Sequence, residues 1–259
     1  MLRRGGHHGM LNRPEQSAAM LLDYWRESRR PLVSLVFISP LLVAYEGGIL
    51  LLGPDAMRNG AEVWLRSLLD FLGFGQYFLL PVLTVALLLG WHHLTRDRWY
   101  VPVQVLNGMA GECTSLALCL VAIGYVQGAL LSSIVPALEI PSAALLGNSL
   151  TRFIGRAIGF FGAGIYEEVL FRLMLLTGLV SLFHLAGTPA RRAVWSAIAL
   201  SSLLFSLAHY IGPQGDSLSL FSFLFRFVAG AFFAILFVRR GFGIAAGTHA
   251  LYDIIVGLV

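Results

Sequence analysis

Residues 153–185, which read FIGRAIGFFGAGIYEEVLFRLMLLTGLVSLFHL, decide the fold of this chain. The stretch is almost continuously apolar and is longer than the roughly 20 residues that an α-helix needs to cross about 30 Å of hydrocarbon. The whole chain shares this character, because 57% of its 259 residues are hydrophobic, 12% are charged and its mean hydropathy is +0.77. An ordinary soluble domain carries about twice that charged fraction. The composition therefore indicates a membrane protein and excludes a disordered chain or a nucleic-acid-binding module.

Apolar runs between charged residues and turn residues predict about seven transmembrane helices. They cover residues 32–52, 77–91, 108–135, 153–185, 193–210, 218–238 and 244–259. Residues 55–72 alternate charged with apolar side chains, which is typical of an amphipathic helix lying in the membrane interface. The sequence therefore predicts an all-α fold, a polytopic membrane helical bundle of about seven transmembrane helices plus an interfacial amphipathic helix.

The distribution of arginine predicts the orientation of the chain, which contains no lysine. If seven spans alternate, twelve arginines fall on one side: Arg3, Arg4, Arg13, Arg26, Arg29, Arg30, Arg96, Arg98, Arg191, Arg192, Arg239 and Arg240. The other side receives Arg58, Arg66 and Arg152. Because arginine-rich loops stay in the cytoplasm, we expect a multi-pass protein of the cell (cytoplasmic) membrane with a cytoplasmic N-terminus.

Ionisable side chains within the predicted spans are functional candidates, because a charge at bilayer depth is costly without a partner. The fourth span holds Glu167, Glu168 and Arg172 in the string GIYEEVLFR. Glu168 and Arg172 are four residues apart and share a helix face, whereas Glu167 lies about 100° around the helix from its neighbour. We therefore expect Arg172 to pair with Glu168 and Glu167 to remain free to bind and deprotonate a reactant. A purely structural ion pair is the alternative.

Two later spans contribute imidazole groups. The fifth span ends in FSLAH, which places His209 beside a turn, and the seventh carries THALYD, which places His249 and Asp253 four residues apart on one face. Asp253 could fix the tautomer of His249 or help to hold a developing oxyanion. Each histidine alone could equally be a hydrogen-bonded packing residue. Acid and imidazole groups on three separate spans together indicate a reactive site.

Hydrolysis of a peptide bond needs a base that activates water, a second group that shares its proton, and donors for the tetrahedral oxyanion. Glu167, His209 and the pair of His249 with Asp253 can fill these roles without a covalent nucleophile. The sequence has no HExxH string for a zinc protease and no GxSG string for a serine nucleophile. A two-aspartate mechanism is disfavoured because the GxGD string of membrane aspartyl proteases is missing.

At these positions the sequence resembles the CPBP family of intramembrane proteases, the CAAX protease and bacteriocin-processing family, also called ABI. Over roughly residues 152–259 it carries three motifs: EExxxR at Glu167, Glu168 and Arg172, FxxxH at Phe205 and His209, and Hxxx(N/D) at His249 and Asp253. The resemblance implies that Glu167 and His209 activate water. It also implies that His249 and Asp253 stabilise the oxyanion, with Glu168 and Arg172 in support. Asp253 stands where the family more often has Asn.

The resemblance also sets expectations for cofactors and partners. The family was long called metalloprotease and is now described as glutamate-type, so we expect no cofactor, with zinc held by Glu167, His209 and His249 as the alternative. The expected substrate is a membrane-associated protein or peptide in the lipid bilayer, with no nucleic-acid partner. A lysine-free, arginine-rich composition is typical of GC-rich prokaryotes, which favours signal or leader segments over prenylated substrates. The oligomeric state stays open.

The resemblance divides the chain into three parts: a cytoplasmic N-terminal tail (1–31), N-terminal transmembrane helices with the interfacial helix (32–151), and a CPBP-like catalytic transmembrane core (152–259). Two other functions remain open. A non-proteolytic bacteriocin-immunity or scaffold protein could share the fold, and a proton-coupled transporter would also place Glu and His at bilayer depth. The lack of paired repeats in the sequence disfavours the transporter.

The bounds of the spans raise two expectations about packing. Straight helices would leave Glu167, His209 and His249 at different depths, so we expect either that the fourth and fifth spans are broken or tilted, or that the true span boundaries are displaced by some residues. The sixth span carries Arg226, which needs a carboxylate partner. The candidate partners are Glu46, Glu112, Glu167 and Glu168.

Overall fold

The computed structural model describes residues 23–53, 58–134, 150–212 and 215–258, so residues 1–22 of the predicted tail lie outside the described residues. The described residues form a helical bundle and contain no strand, which confirms the predicted all-α class. Two π-helical segments, Ala163–Glu167 and Val169–Leu176, join α5 to α6, so that residues 150–185 form one composite helix. The α-helices are α1 (Pro31–Leu52), α2 (Gly60–Phe71), α3 (Leu79–Thr95), α4 (Val103–Ile134), α5 (Leu150–Gly162), α6 (Thr177–Leu185), α7 (Ala190–Ala208), α8 (Leu220–Arg240) and α9 (Phe242–Leu258).

Each predicted span coincides with a helix, and the predicted interfacial segment coincides with α2. Two shorter apolar helices, Leu79–Thr95 and Phe242–Gly257, accompany four segments that are long and apolar enough to cross a membrane. Those four are Pro31–Leu52, Val103–Ser133, Ile154–Leu185 and Leu220–Arg240. The protein is therefore a multi-pass membrane protein. The count of seven spans and the cytoplasmic N-terminus stay predictions.

Ion pairs bring several arginine-rich segments together at one end of the bundle. Arg240, at the end of α8, donates to Glu112 through both Nε and Nη2 at 2.6 Å, and its guanidinium lies 4.1 Å from the ring of Trp25. Arg98, in the loop after α3, donates to Glu27 at 2.8 Å. The end of α8, the residues before α1 and the α3–α4 loop thus lie side by side. We call this the arginine-rich end.

The central helix of the bundle is α9, which contacts α1, α4, α5, α8 and the first π-helical segment. It starts directly after α8 because Gly241 adopts a φ of 88°, a left-handed conformation that favours glycine and reverses the chain. The composite helix approaches α9 at Gly164. A Cβ atom there would lie 2.7 Å from the Cβ of Ala250 and 2.8 Å from the carbonyl oxygen of Ala246. The missing side chain therefore allows the glutamate-bearing segment to pack directly against α9.

Arg226 has a different partner from those predicted. Its guanidinium binds the carboxylate of Asp216, in the segment before α8, and lies 5.3 Å from the ring of Tyr210. Because α8 begins at Leu220, Arg226 lies near the start of the helix and reaches a carboxylate outside it. The prediction was wrong in naming Glu46, Glu112, Glu167 and Glu168 as the candidates.

Candidate active site

Both glutamates lie at the junction between the two π-helical segments. Glu167 ends the segment Ala163–Glu167, and Glu168 precedes the segment Val169–Leu176. π-helical turns replace the usual i→i+4 hydrogen bonds with i→i+5 bonds, and they are frequent at functional sites. Both side chains are buried, Glu168 completely. The local change in helix geometry thus sets two adjacent carboxylates inside the bundle.

Glu168 is held by two partners through one oxygen. Arg172 Nη1 lies 3.0 Å from Glu168 Oε1, and His249 Nδ1 lies 2.8 Å from the same oxygen. Arg172 also donates from Nη2 to the carbonyl oxygen of Gly230 at 3.2 Å. The structure places Glu168 and Arg172 at ion-pair distance, as their spacing predicts. Glu168 additionally orients the imidazole of His249, which the sequence does not reveal.

Aromatic rings enclose the charged groups of the site. Phe233 stacks on the imidazole of His249 with 4.3 Å between ring centroids, and Phe205 lies edge-on to the ring of His209 at 4.9 Å. The guanidinium carbon of Arg172 lies 4.4 Å from the centroid of the Phe205 ring. Rings in this position favour the cation and restrict the rotation of both imidazoles. Phe205 of the FxxxH motif therefore has a structural role in the site.

The two histidines present the same ring nitrogen to Glu167. His209 follows α7, and its Nδ1 lies 2.8 Å from the carbonyl oxygen of Phe205. Because a carbonyl oxygen only accepts hydrogen bonds, Nδ1 carries the proton of the neutral ring and Nε2 is free. Glu167 Oε2 lies 3.9 Å from Nε2 of His209 and 3.8 Å from Nε2 of His249. The latter nitrogen lies 3.6 Å from Oδ2 of Asp253, so the four predicted catalytic residues converge.

One oxygen of Glu167, Oε2, is left between the two imidazoles without a hydrogen-bond partner among the described residues. Gaps of 3.8 and 3.9 Å to the imidazole nitrogens are too long for direct hydrogen bonds and suit a bridging water. The side chain of His209 is 26% exposed, compared with 12% for Glu167 and 6% for His249. His209 is therefore the most exposed of the three side chains, and Oε2 of Glu167 is buried behind it.

Asn59 completes the site from the N-terminal half of the chain. Its Nδ2 donates to Oε1 of Glu167 at 2.8 Å, while its own Oδ1 accepts from the backbone N–H of Ala61 at 2.9 Å and caps α2. Sequence reasoning missed this residue. An asparagine before an amphipathic helix indicates a cap, but nothing in its spacing reveals a partner 108 residues away.

A buried polar network fixes α2 in place. Glu62, whose side chain is completely buried, accepts from Arg66 Nε at 2.5 Å and from the hydroxyl of Tyr45 in α1. Tyr166, the neighbour of Glu167, donates to Glu46 of α1. Arg66 Nη2 and Glu46 Oε2 lie 3.8 Å apart without a hydrogen bond, but the bonds that the network does make connect α1 with both α2 and the composite helix. They hold the start of α2, and with it the asparagine cap, against the composite helix.

The site holds more carboxylates than fixed positive charges. Among the described residues, one guanidinium lies within ion-pair distance of the carboxylates of Glu167, Glu168 and Asp253, that of Arg172 beside Glu168. The net charge of the site is therefore −2 when both imidazoles are neutral and zero when both are protonated. Carboxylates beside imidazoles in a buried site are the types of group that general acid–base chemistry uses.

A zinc ion would need its ligand atoms closer together than Glu167, His209 and His249 place them. Among the described residues, no group of three or more His, Cys, Asp or Glu side chains is arranged to hold a metal ion. Zinc with ligands at about 2.0–2.1 Å keeps tetrahedral neighbours roughly 3.3 Å apart, closer than the 3.8 and 3.9 Å between Glu167 and the two histidines. The residues do not fit zinc in this arrangement, and the zinc alternative stays a prediction.

Fold and site together define a multi-pass helical membrane protein with a buried glutamate–histidine centre. Residues 149–255 match the family model described as type II CAAX prenyl endopeptidase Rce1-like. The match contains Glu167, His209, His249 and Asp253, and it confirms the resemblance to the CPBP, or CAAX protease, family. At the level of the family it supports an intramembrane endopeptidase of the CAAX type. Comparison with curated proteins and with solved structures gives no match.

Proposed function

We propose that this protein is an intramembrane endopeptidase that hydrolyses a peptide bond of a membrane-associated protein or peptide with an activated water molecule. The observation that carries the proposal is the position of Glu167 Oε2, 3.9 and 3.8 Å from the Nε2 atoms of His209 and His249. These three groups come from separate helices. A structural ion pair would satisfy its buried carboxylate directly, whereas Oε2 of Glu167 has no hydrogen-bond partner among the described residues.

Glu167 acts as the general base in this proposal. A water molecule bound to its Oε2 lies within hydrogen-bond reach of the two imidazole nitrogens. The scissile carbonyl approaches past His209, the most exposed of the three groups. As the water oxygen bonds to the carbonyl carbon, one water proton passes to Glu167 and the carbonyl oxygen becomes an oxyanion.

Donors near His249 stabilise that oxyanion. His249 donates through Nε2 when its ring is protonated, and Asp253 donates when its carboxyl is protonated. Collapse of the tetrahedral intermediate breaks the C–N bond, and the leaving nitrogen takes the proton that Glu167 received. The products are a carboxylic acid and an amine, and the protein returns to its starting protonation state. One water molecule is consumed in each cycle.

Three further residues position the reacting groups. Asn59 holds the second oxygen of Glu167, so that Oε2 is the oxygen aimed at water. Glu168 accepts from Nδ1 of His249 and thereby leaves Nε2 facing the reactants. Arg172 balances the charge of Glu168 at 3.0 Å. Such fixed partners reduce the reorganisation that a proton transfer requires.

The proposal is tested by comparing protein N-termini in membrane and secreted fractions of cells that carry the wild type, Glu167→Gln, His209→Ala or Asp70→Asn at equal abundance. Asp70→Asn is the matched control, because it makes the same carboxylate-to-amide change on an exposed residue of α2. We expect one set of termini to disappear in the first two variants and to persist in the control. Unchanged termini together with a growth or export phenotype would favour the scaffold or the transporter instead.

The same measurement of N-termini tests whether cleavage depends on a metal ion. Membranes that contain the wild-type protein are incubated with a strong chelator before the candidate termini are measured. Because the mechanism uses side chains alone, we expect cleavage to continue. Loss of cleavage that added zinc restores would instead support a metal held by Glu167, His209 and His249.

A further inference from the structure

A second candidate site lies away from the active site, at the arginine-rich end. A pocket of about 300 Å³ opens between the residues before α1 and the loop after α3. Its lining consists of Arg26, Glu27, Arg30, Arg96, Asp97 and Arg98, and we call it the arginine pocket. We propose that the arginine pocket binds the phosphate group of an anionic lipid.

The first observation is the charge of the pocket. Four guanidinium groups line the pocket with two carboxylates, and a third carboxylate, that of Asp23, pairs with Arg26 at 2.8 Å, which leaves an excess of one positive charge. Glu27 is shared between Arg30 and Arg98, the latter at 2.8 Å. Burial alone would raise the pKa of Glu27, but the hydrogen bonds from both arginines outweigh it and hold the pKa below its usual range. Glu27 therefore stays ionised, and the excess remains positive because Arg96 forms no ion pair with the described residues.

The second observation concerns Arg30. Its side chain is 5% exposed, and Nη1 donates to Glu27. Its Nε and Nη2 are buried without an acceptor among the described residues. Buried guanidinium donors are costly when unpaired, so this arrangement calls for an acceptor with several oxygens. Phosphate provides such oxygens and matches the planar donor geometry of arginine.

Exposed aromatic residues beside the pocket indicate a lipid as the source of the phosphate. Trp99 and Tyr100 follow the pocket directly, Trp25 precedes it, and all three side chains are more than half exposed. Trp and Tyr concentrate at the level of the lipid head groups. Leu94, also largely exposed at the end of α3, offers apolar surface to an acyl chain. Basic pockets at this level of a helical membrane protein bind anionic head groups.

Native mass spectrometry of the purified full chain tests this proposal without measuring cleavage. The protein is titrated with phosphatidylglycerol or with phosphatidylcholine of the same acyl chains, as wild type, Arg96→Gln and Arg192→Gln. Arg192 is an exposed arginine near the start of α7, at the same end of the bundle but outside the pocket. We expect tighter binding of phosphatidylglycerol, a loss of about fivefold in Arg96→Gln, and no loss in Arg192→Gln.

Two outcomes of the lipid titration would overturn the proposal: no preference for phosphatidylglycerol, or equal losses of binding in the two arginine variants. A third would be binding of inorganic phosphate, titrated in the same way, that is as tight as binding of the lipid and disappears in Arg96→Gln. The third outcome would assign the pocket to a free phosphate. Glu167→Gln should bind the lipid as the wild type does. An absence of lipid binding therefore overturns this proposal without bearing on the proposed protease function, and an absence of cleavage does the reverse.

Discussion

At the scale of single residues, the neighbouring carboxylates of Glu167 and Glu168 differ in the partners that surround them. Glu168 Oε1 is held by Arg172 and His249 at 3.0 and 2.8 Å, so it carries a structural charge. Glu167 keeps Oε2 without a partner among the described residues, beside two imidazole nitrogens. The spacing of EExxxR predicts which glutamate pairs with arginine. It does not predict that the paired glutamate also orients a histidine on α9.

The two glutamates should therefore respond differently to the same substitution. Glu168→Gln leaves Arg172 buried without its counter-charge, so we expect a loss of about 3 kcal/mol of stability together with a loss of activity. Glu167→Gln keeps the Arg172 pair, so we expect activity to disappear while the melting temperature in detergent stays within a few degrees. Equal melting temperatures for the two variants would contradict this division of roles.

Asn59 offers a test of positioning that leaves the helix cap in place. In Asn59→Asp the side chain can still accept from the N–H of Ala61, but it can no longer donate to Glu167 and it adds a like charge beside it. We expect kcat to fall by about tenfold to a hundredfold, the range seen for outer hydrogen-bond partners of reactive groups, with little change in KM. Asn59→Ser keeps the cap without adding charge and should lose less. A change in KM alone would argue against a positioning role.

Asp253 distinguishes two ways of holding the oxyanion. A carboxylate accepts hydrogen bonds, whereas an amide of the same shape always offers a donor. If Asp253 donates to the oxyanion, Asp253→Asn retains activity and extends it to higher pH, while Asp253→Leu loses it. Pre-steady-state cleavage rates measured across pH check this expectation. Inactivity of both variants would assign Asp253 to holding the imidazole of His249 instead.

At the scale of elements, the composite helix shows that hydropathy predicts where a helix lies but not which side chains from different helices meet. Hydropathy predicts an apolar helix over residues 153–185, and the structure has one over residues 150–185. Straight helices would leave Glu167, His209 and His249 at different depths. The structure brings them together without a break in residues 150–185, which change from α-helical to π-helical turns around Glu167. Such turns depend on tertiary contacts and leave no periodic signal in the sequence.

Gly164 tests whether the approach of the composite helix to α9 positions the site. In Gly164→Ala the new Cβ meets Ala250 and the backbone of Ala246 at 2.7–2.8 Å, so we expect a destabilisation of about 1–3 kcal/mol from overpacking and a fall in activity. Gly178→Ala is the matched control on the same composite helix, since nothing lies within 4 Å of its Cβ. There we expect no loss of stability, because alanine favours helix. Thermal unfolding in detergent compares the two.

At the scale of the whole molecule, the active site draws on both halves of the chain. The family match begins at residue 149, and the motifs that point to chemistry all follow it. Asn59 nevertheless reaches Glu167 from the segment before α2, and Tyr45 and Glu46 of α1 anchor the network behind it. Motifs on one helix can be read from spacing, but a hydrogen bond across 108 residues depends on the packing of the bundle. Spacing along the sequence therefore predicted the Glu168–Arg172 pair but did not reveal the hydrogen bond from Asn59 to Glu167.

Whether Glu167 activates water for peptide hydrolysis is tested most directly by a reconstituted assay. Purified protein in lipid nanodiscs is incubated with a peptide that spans a terminus lost in the Glu167→Gln cells, and mass spectrometry follows the two products. We expect cleavage by the wild type and by Asp70→Asn, and a fall in kcat/KM of about a thousandfold in Glu167→Gln. Cleavage by Glu167→Gln at the wild-type rate would contradict this expectation.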